Sequence, residues 1–135
     1  MALPIKGGKI GTPFGVKGKM WSSGSHQGID FPVPVGTPVL AVADGVVVKV
    51  PAWGSAFGKH QPLIKHVVGG KTYYCLYAHV SKVLVKAGDH VKKGQHIADS
   101  GAEGNVTGPH LHFEAQLHEG WVRTGGVDPK PLLEA

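Results

Sequence analysis

Two histidines stand at alternate positions near the end of the chain, in the segment GPHLHFE at residues 108–114. In a β-strand, side chains at positions i and i+2 point to the same face, roughly 6.6 Å apart along the backbone. His110 and His112 would then converge on one point, such as a metal ion or a reacting bond. The alternative is an exposed strand face that carries two polar residues, and this motif by itself does not decide between the two.

A third histidine precedes a carboxylate far upstream, in the segment SHQGIDFPVPVG. His26 and Asp30 have the i, i+4 spacing of helical zinc sites, but Gly28 and the two prolines that follow disfavour a helix. On a straight strand the two Cα atoms would lie about 13 Å apart. If both side chains bind one ion, the backbone must bend between them, and Gly28 is the residue that permits the bend. Taken alone, the two residues also fit an ordinary surface pair.

The two motifs together suggest a metal site. Histidine, carboxylate and histidine form a ligand set of catalytic zinc sites, in which water takes the fourth position. Structural zinc sites are usually closed and rich in cysteine, whereas this chain has only Cys75, which we expect to pack inside a strand. His79 ends the apolar run YCLYAH and would place another imidazole beside the ion.

At this point the sequence resembles the lysostaphin/LytM-type zinc metallopeptidases, which cut the peptides of peptidoglycan. The resemblance runs from GTPFG to VDPKPLL and is carried, in the family's order and spacing, by HQGIDFPVPVGTPVLAVADGVV, YYCLYAHVSKV, AGDHVKKGQHIADSG and TGPHLHFE. It implies one zinc ion per chain, held by His26, Asp30 and His112. It also implies that His79 and His110 stay unligated and act on the substrate.

Short β-strands are predicted for most of the chain, because glycines and prolines divide it into brief apolar segments. TPVLAVADGVVVKVP predicts a hairpin around Asp44–Gly45, and PLIKHVVGGKTYYCLYAHV predicts another around Gly69–Gly70. Only HVSKVLV is a candidate for a single helical turn. We therefore expect an all-β, mostly antiparallel domain with little helix. The resemblance makes it a LytM-like metallopeptidase domain, related to the barrel-sandwich hybrid.

The size and composition are those of one globular domain, with 135 residues, 41% of them hydrophobic and 17% charged. We expect a single catalytic domain over residues 1–135, without a separate wall-binding domain, acting as a monomer. The net charge of +5 is scattered, which disfavours a nucleic-acid partner and favours an extended anionic partner such as a bacterial wall.

The chain has no secretory signal at its start and no apolar run of membrane-spanning length. We therefore expect no membrane insertion. Action on the bacterial cell wall, outside the cytoplasm, then predicts a phage-encoded or virion-associated lysin, or a catalytic domain excised from a bacterial enzyme.

Two positions depart from the family pattern. Many members carry Tyr or Asn shortly before the first metal histidine, where this chain reads KMWSSGS, so that Trp21 and Ser25 are the candidates to replace it. Lys59 follows Gly58, where Asn is usual.

The substrate groove is expected to be walled by three segments, GVKGKMWSSGS, WGSAFGKHQ and SGAEGNVTG. Their small residues let an extended peptide backbone approach closely. Lysines in the first two would pair with free carboxylates, which diaminopimelate and a D-Ala terminus offer and a glycine bridge does not. We therefore expect a diaminopimelate-type crosslink or stem peptide rather than pentaglycine.

Two other functions fit parts of the sequence. An inactive relative that binds the wall or activates another hydrolase would lose metal ligands, and this chain keeps them. A biotinyl/lipoyl carrier shares the hairpin pattern, but the candidate Lys49 lies inside VVVKVP rather than at a hairpin tip, and the carrier leaves the histidine motifs unexplained. Five histidines are expected to have no catalytic role: His60, His66, His90, His96 and His118.

Overall fold

The computed structural model describes residues 2–18, 24–104, 106–120, 122 and 124–134. Within these residues the chain forms short strands, one turn of 3-10 helix at Ser55–Phe57 and one short α-helix. The elements are β1 (Ile29–Phe31), β2 (Pro38–Leu40), β3 (Gly45–Lys49), β4 (Leu63–Val68), β5 (Lys71–Ala78), β6 (Lys82–Val83), β7 (His90–Val91), β8 (His96–Asp99), β9 (Leu111–Gln116) and α1 (Lys130–Leu133).

The strands form two sheets in which all the described pairs are antiparallel. The larger sheet has the order β1-β9-β5-β4-β3-β7, and the smaller has the order β2-β8-β6. The prediction of an all-β, mostly antiparallel domain with little helix is confirmed. None of the helices in the described ranges has the length and apolar character needed to cross a bilayer.

One main hydrophobic cluster joins the two sheets. Val39 and Ile97 contribute from the smaller sheet, and Phe31 and Phe113 contribute from the larger one, all of them fully buried. Cys75 lies in β5 and is buried, as expected. Burial raises the pKa of its thiol, because the charged thiolate would be desolvated. The strands that carry Asp30 and His112 are thus anchored in the hydrophobic core.

The hairpin predicted at Gly69–Gly70 joins β4 to β5. Val68 pairs with Lys71, and the two glycines between them have φ angles of 59° and 76°. Positive φ at both central residues matches the twist of a two-residue hairpin turn, and glycine adopts it without the steric cost that other residues carry.

The hairpin predicted around Asp44–Gly45 is wrong. β2 pairs with β8 and β3 pairs with β4 and β7, so the two strands lie in different sheets. The linking residues bond instead to the turn after β7: the Asp44 carboxylate accepts the Lys93 amide at 2.9 Å, and Ala41 exchanges backbone hydrogen bonds with that turn. A strand pair needs a turn that reverses the chain, whereas these residues carry it across the core.

The helical turn suggested for HVSKVLV is also absent from that segment. Lys82–Val83 form β6, and the amide of Leu84 continues the contact by donating to the carbonyl of Ile97 at 2.8 Å. β-Branched valines at positions 80, 83 and 85 favour this extended form. Helix occurs instead at Lys130–Leu133, where the apolar pair Leu132 and Leu133 packs into the main cluster.

Candidate metal centre

Three potential metal donors meet where β1 lies beside β9. Asp30 is in β1 and stands directly opposite His112 in β9. His26 comes just before β1, and its backbone amide donates to the carbonyl of Val16 at 2.7 Å. One donor atom from each side chain lies within 4.8 Å of the other two. Neighbouring strands therefore bring together residues that are far apart in the sequence.

The spacing of these donors suits a tetrahedral zinc ion. His26 Nε2 lies 3.2 Å from Asp30 Oδ1 and 3.2 Å from His112 Nδ1, and His112 Nδ1 lies 2.9 Å from Asp30 Oδ1. Zinc–nitrogen and zinc–oxygen distances near 2.0–2.1 Å imply donor separations of roughly 3.3–3.4 Å in a tetrahedron. The observed triangle is slightly smaller and needs only a small expansion.

In each of the two imidazoles, His26 and His112, the nitrogen that points away from the donor triangle makes a hydrogen bond. These bonds determine the tautomer of the neutral rings. His26 Nδ1 lies 3.0 Å from the carbonyl of Pro13, which only accepts, so this nitrogen carries the hydrogen. His112 Nε2 likewise lies 3.0 Å from the Glu114 carboxylate. In neutral rings the lone pairs of His26 Nε2 and His112 Nδ1 therefore face each other and Asp30. Either a cation at the centre of the three atoms or a proton on one of the rings would relieve the repulsion between these electron pairs.

Gly28 allows the chain to bend between His26 and Asp30, as the sequence suggested. A second reason also requires a glycine at this position. The backbone bends at this residue. A Cβ there would lie 2.9 Å from His112 Cε1 and would also collide with the Phe113 carbonyl oxygen. A glycine is required because the donor imidazole on β9 passes directly over the backbone at this position.

Two further imidazoles stand beside the donor triangle. The ring centroids of His79 and His110 are 4.9 Å apart, and His110 Nε2 lies 3.9 Å from Asp30 Oδ1. His79 Nδ1 donates to the Glu103 carbonyl at 2.6 Å, and His110 Nδ1 donates to the Gly108 carbonyl at 2.9 Å. In each neutral ring, Nε2 is therefore the nitrogen that has a lone pair to accept a proton.

The backbone of His79 is held in an unusual conformation. Its φ angle is 65°, the one positive value among the described non-glycine residues. Its amide donates to the Phe57 carbonyl at 2.8 Å, and Gly101 lies so close that a Cβ there would be 2.7 Å from the His79 carbonyl oxygen. These contacts maintain the left-handed conformation and direct the ring towards His110.

Burial and hydrogen bonding shift the pKa values of the cluster in the metal-free protein. Burial alone would raise the pKa of Asp30, but hydrogen bonds with His112 and His26 hold it well below its usual range. Burial would lower the pKa of His112, yet its bonds with Asp30 and Glu114 raise it to about 9. Burial lowers the pKa of His79 to about 4 despite its bond to the Glu103 carbonyl, with nearby His112 and His110 adding to the shift. At neutral pH, His79 is therefore neutral.

The chain is similar to known proteins over most of its length. The model for Peptidase family M23 matches residues 24–124. The chain belongs to peptidase family M23. Among curated relatives, the M23 domain is similar to the peptidoglycan DD-endopeptidase ShyA of Vibrio cholerae, with 47% identity over 89 residues, or 66% of this chain and 20% of ShyA.

Solved M23 structures have the same fold. The catalytic domain of the antimicrobial peptidase lysostaphin from Staphylococcus simulans superposes with a TM-score of 0.82 and 35% identity, covering 96% of this chain and 95% of that one. A zinc-containing peptidase from Vibrio cholerae superposes with a TM-score of 0.73 and 35% identity, covering 100% of this chain and 40% of that one. Several curated relatives are much longer, and the chain spans about a fifth to a third of their length. Both structural matches support the predicted metallopeptidase fold.

Two of the three segments predicted to wall the groove contact each other next to His79. The Glu103 carboxylate accepts the amide of Lys59 at 3.2 Å, while its backbone carbonyl holds His79. The Phe57 ring stacks on His112, with centroids 5.9 Å apart. Part of the third segment lies within the described residues, where the Ser25 hydroxyl accepts a hydrogen bond from the side-chain amide of Gln27 at 3.1 Å. Trp21 lies outside the described residues.

A buried glutamine maintains the shape of the loop that carries Phe57. The Gln61 side chain donates to the carbonyls of Trp53, Gly54 and Gly58 and accepts the amide of Trp53, all at 3.1–3.2 Å. It is fully buried. These bonds satisfy backbone groups that a loop would otherwise leave without partners, and they position the wall of the groove.

The histidines outside the motifs lie away from the donor triangle. His66 is buried in β4, where Nδ1 donates to the Asp44 carbonyl at 3.2 Å and Nε2 accepts from the Tyr77 hydroxyl at 2.9 Å. Burial lowers its pKa, although bonds to the Asp44 and Ala43 backbone oppose the shift. The others are exposed or half-buried. His96 Nε2 lies 2.7 Å from Asp99 Oδ1, and His60 Nε2 lies 3.8 Å from Glu103 Oε2.

Glu114 and Gln116 were not among the predicted site residues, although both follow His112 at alternate positions. Both are buried, with 2% of each residue exposed. The signal was present: polar residues at every second position of an otherwise apolar strand, LHFEAQ, share one face with the histidine.

Proposed function

We propose that the chain is a zinc-dependent peptidoglycan endopeptidase in which His26, Asp30 and His112 hold one zinc ion. The observation that carries this proposal is the convergence of two imidazole lone pairs and one carboxylate oxygen within 3.2 Å of one another. Three protein donors leave one tetrahedral position open, as in catalytic rather than structural zinc sites. The similarity to ShyA and to a zinc-containing peptidase supports the same assignment.

A zinc ion in this position supplies an acidified water and polarises the carbonyl of the scissile peptide bond. The residues of the chain hold the ion, orient the substrate and handle the proton. Asp30 supplies one negative charge to the site, and the Phe57 ring covers one face of His112 and limits the access of water.

His79 and His110 are proposed to handle the proton of the reaction. Their rings are close enough that a charge on one opposes a charge on the other. At neutral pH the pair therefore contains a neutral imidazole, which accepts a proton from the attacking water through Nε2 and passes it to the leaving amine. The other imidazole, when it carries a proton, would donate to the oxygen that becomes negative in the transition state.

The proposed substrate is a peptide crosslink or stem of the diaminopimelate type, bound by a monomer. Lys59 is exposed on the groove wall, and its backbone is bonded to Glu103, which also positions His79. A lysine there offers a positive charge to a free carboxylate on the peptide. ShyA, a DD-endopeptidase by name, is a relative consistent with this choice.

Metal removal and restoration test the proposed activity. Purified protein should contain about one equivalent of zinc, should release soluble peptides from isolated peptidoglycan, and should lose this activity after chelation and dialysis. Added zinc should restore it. Full activity in the metal-free protein would overturn the mechanism. Tight zinc binding without any hydrolysis of several wall types would instead favour the inactive wall-binding relative.

The bond that is cut is tested by comparing walls of known chemistry. At equal enzyme, diaminopimelate-type peptidoglycan should be degraded faster than glycine-bridged walls, and mass spectrometry of the fragments should locate the new termini. Lys59→Gln should reduce this preference, whereas Lys71→Gln, the same change at an exposed lysine that begins β5, should leave it unchanged. New glycine amino termini, released faster, would overturn the choice of bond.

A further inference from the structure

A row of buried polar side chains extends from His112 along one face of β9. His112, Glu114 and Gln116 occupy alternate positions, and their exposed fractions are 7%, 2% and 2%. A carboxylate so deeply buried is costly unless it is hydrogen-bonded and its charge is balanced. This face of β9 therefore needs an explanation beyond packing.

These three side chains form a continuous hydrogen-bond network. His112 Nε2 lies 3.0 Å from Glu114 Oε1, and the other carboxylate oxygen of Glu114 accepts the Gln116 amide at 2.7 Å. The same amide group also donates to the Val122 carbonyl at 2.9 Å, and Gln116 Oε1 accepts the Val122 amide at 3.2 Å. Gln116 is thus attached to the backbone at Val122 and offers its N–H to the carboxylate.

The donors and acceptors of this hydrogen-bond network can be arranged in only one way. The backbone carbonyl of Val122 requires Gln116 to present its NH2 group towards Glu114, and the carboxylate in turn accepts a hydrogen from His112 Nε2. The hydrogen of a neutral His112 ring is thereby held on Nε2. The lone pair then lies on Nδ1, which faces Asp30 at 2.9 Å and His26 at 3.2 Å.

We propose that Glu114 is a positioning residue for the metal ligand His112, and that Gln116 holds Glu114 in place. This inference rests on the proposed function, because it assumes that His112 binds zinc through Nδ1. Glu114 selects the tautomer and the ring orientation that bind the ion. Together with Asp30 it also supplies two negative charges, which balance a divalent cation held between neutral imidazoles.

Zinc affinity is the measurement that tests the inference, by competition with a chromophoric chelator. Loss of an outer hydrogen-bond partner of a metal-bound histidine costs roughly 10–100-fold in affinity. We expect Glu114→Ala to weaken zinc binding by about that factor. Glu114→Gln keeps an acceptor but loses the charge, and should weaken it by less. Gln116→Met, which releases Glu114 without touching His112, should also weaken it by less. Glu119→Gln, the same chemical change at an exposed glutamate, should leave it unchanged.

The Nε2 hydrogen of His112 provides a second measurement that a purely structural role would not change. Long-range proton–nitrogen spectra of the zinc-loaded protein should show this hydrogen, slowly exchanging with solvent, in the wild type and in Glu114→Gln. A folded Glu114→Ala protein should keep the hydrogen on Nε2, because zinc occupies Nδ1, but should exchange it faster, so that its signal broadens. Unchanged affinity and unchanged exchange of the Nε2 hydrogen in both folded Glu114 variants would overturn the inference. A wild-type protein that binds no zinc would instead overturn the proposed function.

Discussion

Gly28 lies directly beneath the imidazole of His112, so that a Cβ at this position would stand 2.9 Å from Cε1 and 3.0 Å from Nε2 of the ring. The two residues belong to different segments, one at the bend before β1 and the other within β9. His112 can therefore approach His26 and Asp30 only because residue 28 has no side chain.

Gly28→Ala should destabilise the fold and weaken zinc binding together. The added methyl group meets the Phe113 carbonyl as well as the ring, and overpacking of this kind costs roughly 1–3 kcal/mol. Thermal unfolding with and without zinc measures both effects. Gly54→Ala is the control, since its φ of −72° suits alanine and a Cβ there meets open space. Equal effects of the two substitutions would contradict the close approach.

Removal of the unligated imidazoles should separate catalysis from metal binding. His79→Ala and His110→Ala should each lower the rate of peptidoglycan hydrolysis by about 10²–10⁴-fold, because general acid–base groups contribute that much. Their zinc content should stay near that of the wild type, whereas Asp30→Ala should lose zinc and activity together. His118→Ala, at an exposed position, serves as the control. If His110→Ala emptied the site, His110 would be a ligand.

Zinc binding should release a proton at neutral pH. Asp30 and Glu114 raise the pKa of His112 to about 9 in the metal-free protein, so that the ring is protonated at pH 7 and must lose its proton to bind the ion. The apparent affinity should therefore rise by up to about tenfold per pH unit towards pH 9 and then level off with respect to this group. Calorimetry in buffers with different ionisation enthalpies measures the proton released. The absence of proton release at pH 7 would contradict the prediction.

His66 should make the protein less stable in acid. Burial lowers its pKa, so that below about pH 6.5 the unfolded chain takes up a proton that the folded protein resists. The stability associated with neutral His66 is present above pH 6.5 and is lost as the pH falls towards the lowered pKa. In metal-free protein, His66→Gln should show a smaller loss of unfolding free energy between pH 7 and pH 5. His118→Gln should match the wild type, and identical curves for all three proteins would refute the assignment.

Gln61→Leu should loosen the groove wall. The substitution removes every hydrogen bond that the buried amide makes to the loop between Trp53 and Gly58, and each buried polar group left unsatisfied costs roughly 1–3 kcal/mol. We expect a lower melting temperature and faster amide hydrogen exchange across this loop. Gln95→Leu removes the hydrogen bond that an exposed side chain accepts from the Lys92 amide, far from this loop in the sequence, and should leave exchange between Trp53 and Gly58 unchanged. Unchanged exchange in Gln61→Leu would show that the loop is held by other contacts.

Local chemistry was sufficient for part of the fold and of the site. The Gly69–Gly70 hairpin was predictable because both turn residues need positive φ, which glycine adopts at little cost. The candidate donors were predictable because a histidine–carboxylate–histidine set is a chemical signature of zinc. The bend at Gly28 was predictable as well, since Gly28 and the prolines that follow disfavour a helix, and a straight strand would hold His26 too far from Asp30.

Contacts between distant segments decided the rest. The sequences of β2 and β3 flank an Asp-Gly pair as the two strands of a hairpin would. The two strands nevertheless belong to different sheets, because β2 pairs with β8 and β3 pairs with β4. His26 and His112 lie 86 positions apart, and the role proposed for Glu114 depends on the return of the chain at Val122, which holds Gln116 beside it. The sequence by itself determined which side chains could bind a metal and which turns could form. Only the tertiary structure decided which strands pair, why Gly28 must lack a side chain and that the polar face of β9 is buried, because these depend on packing between segments that are distant in the sequence.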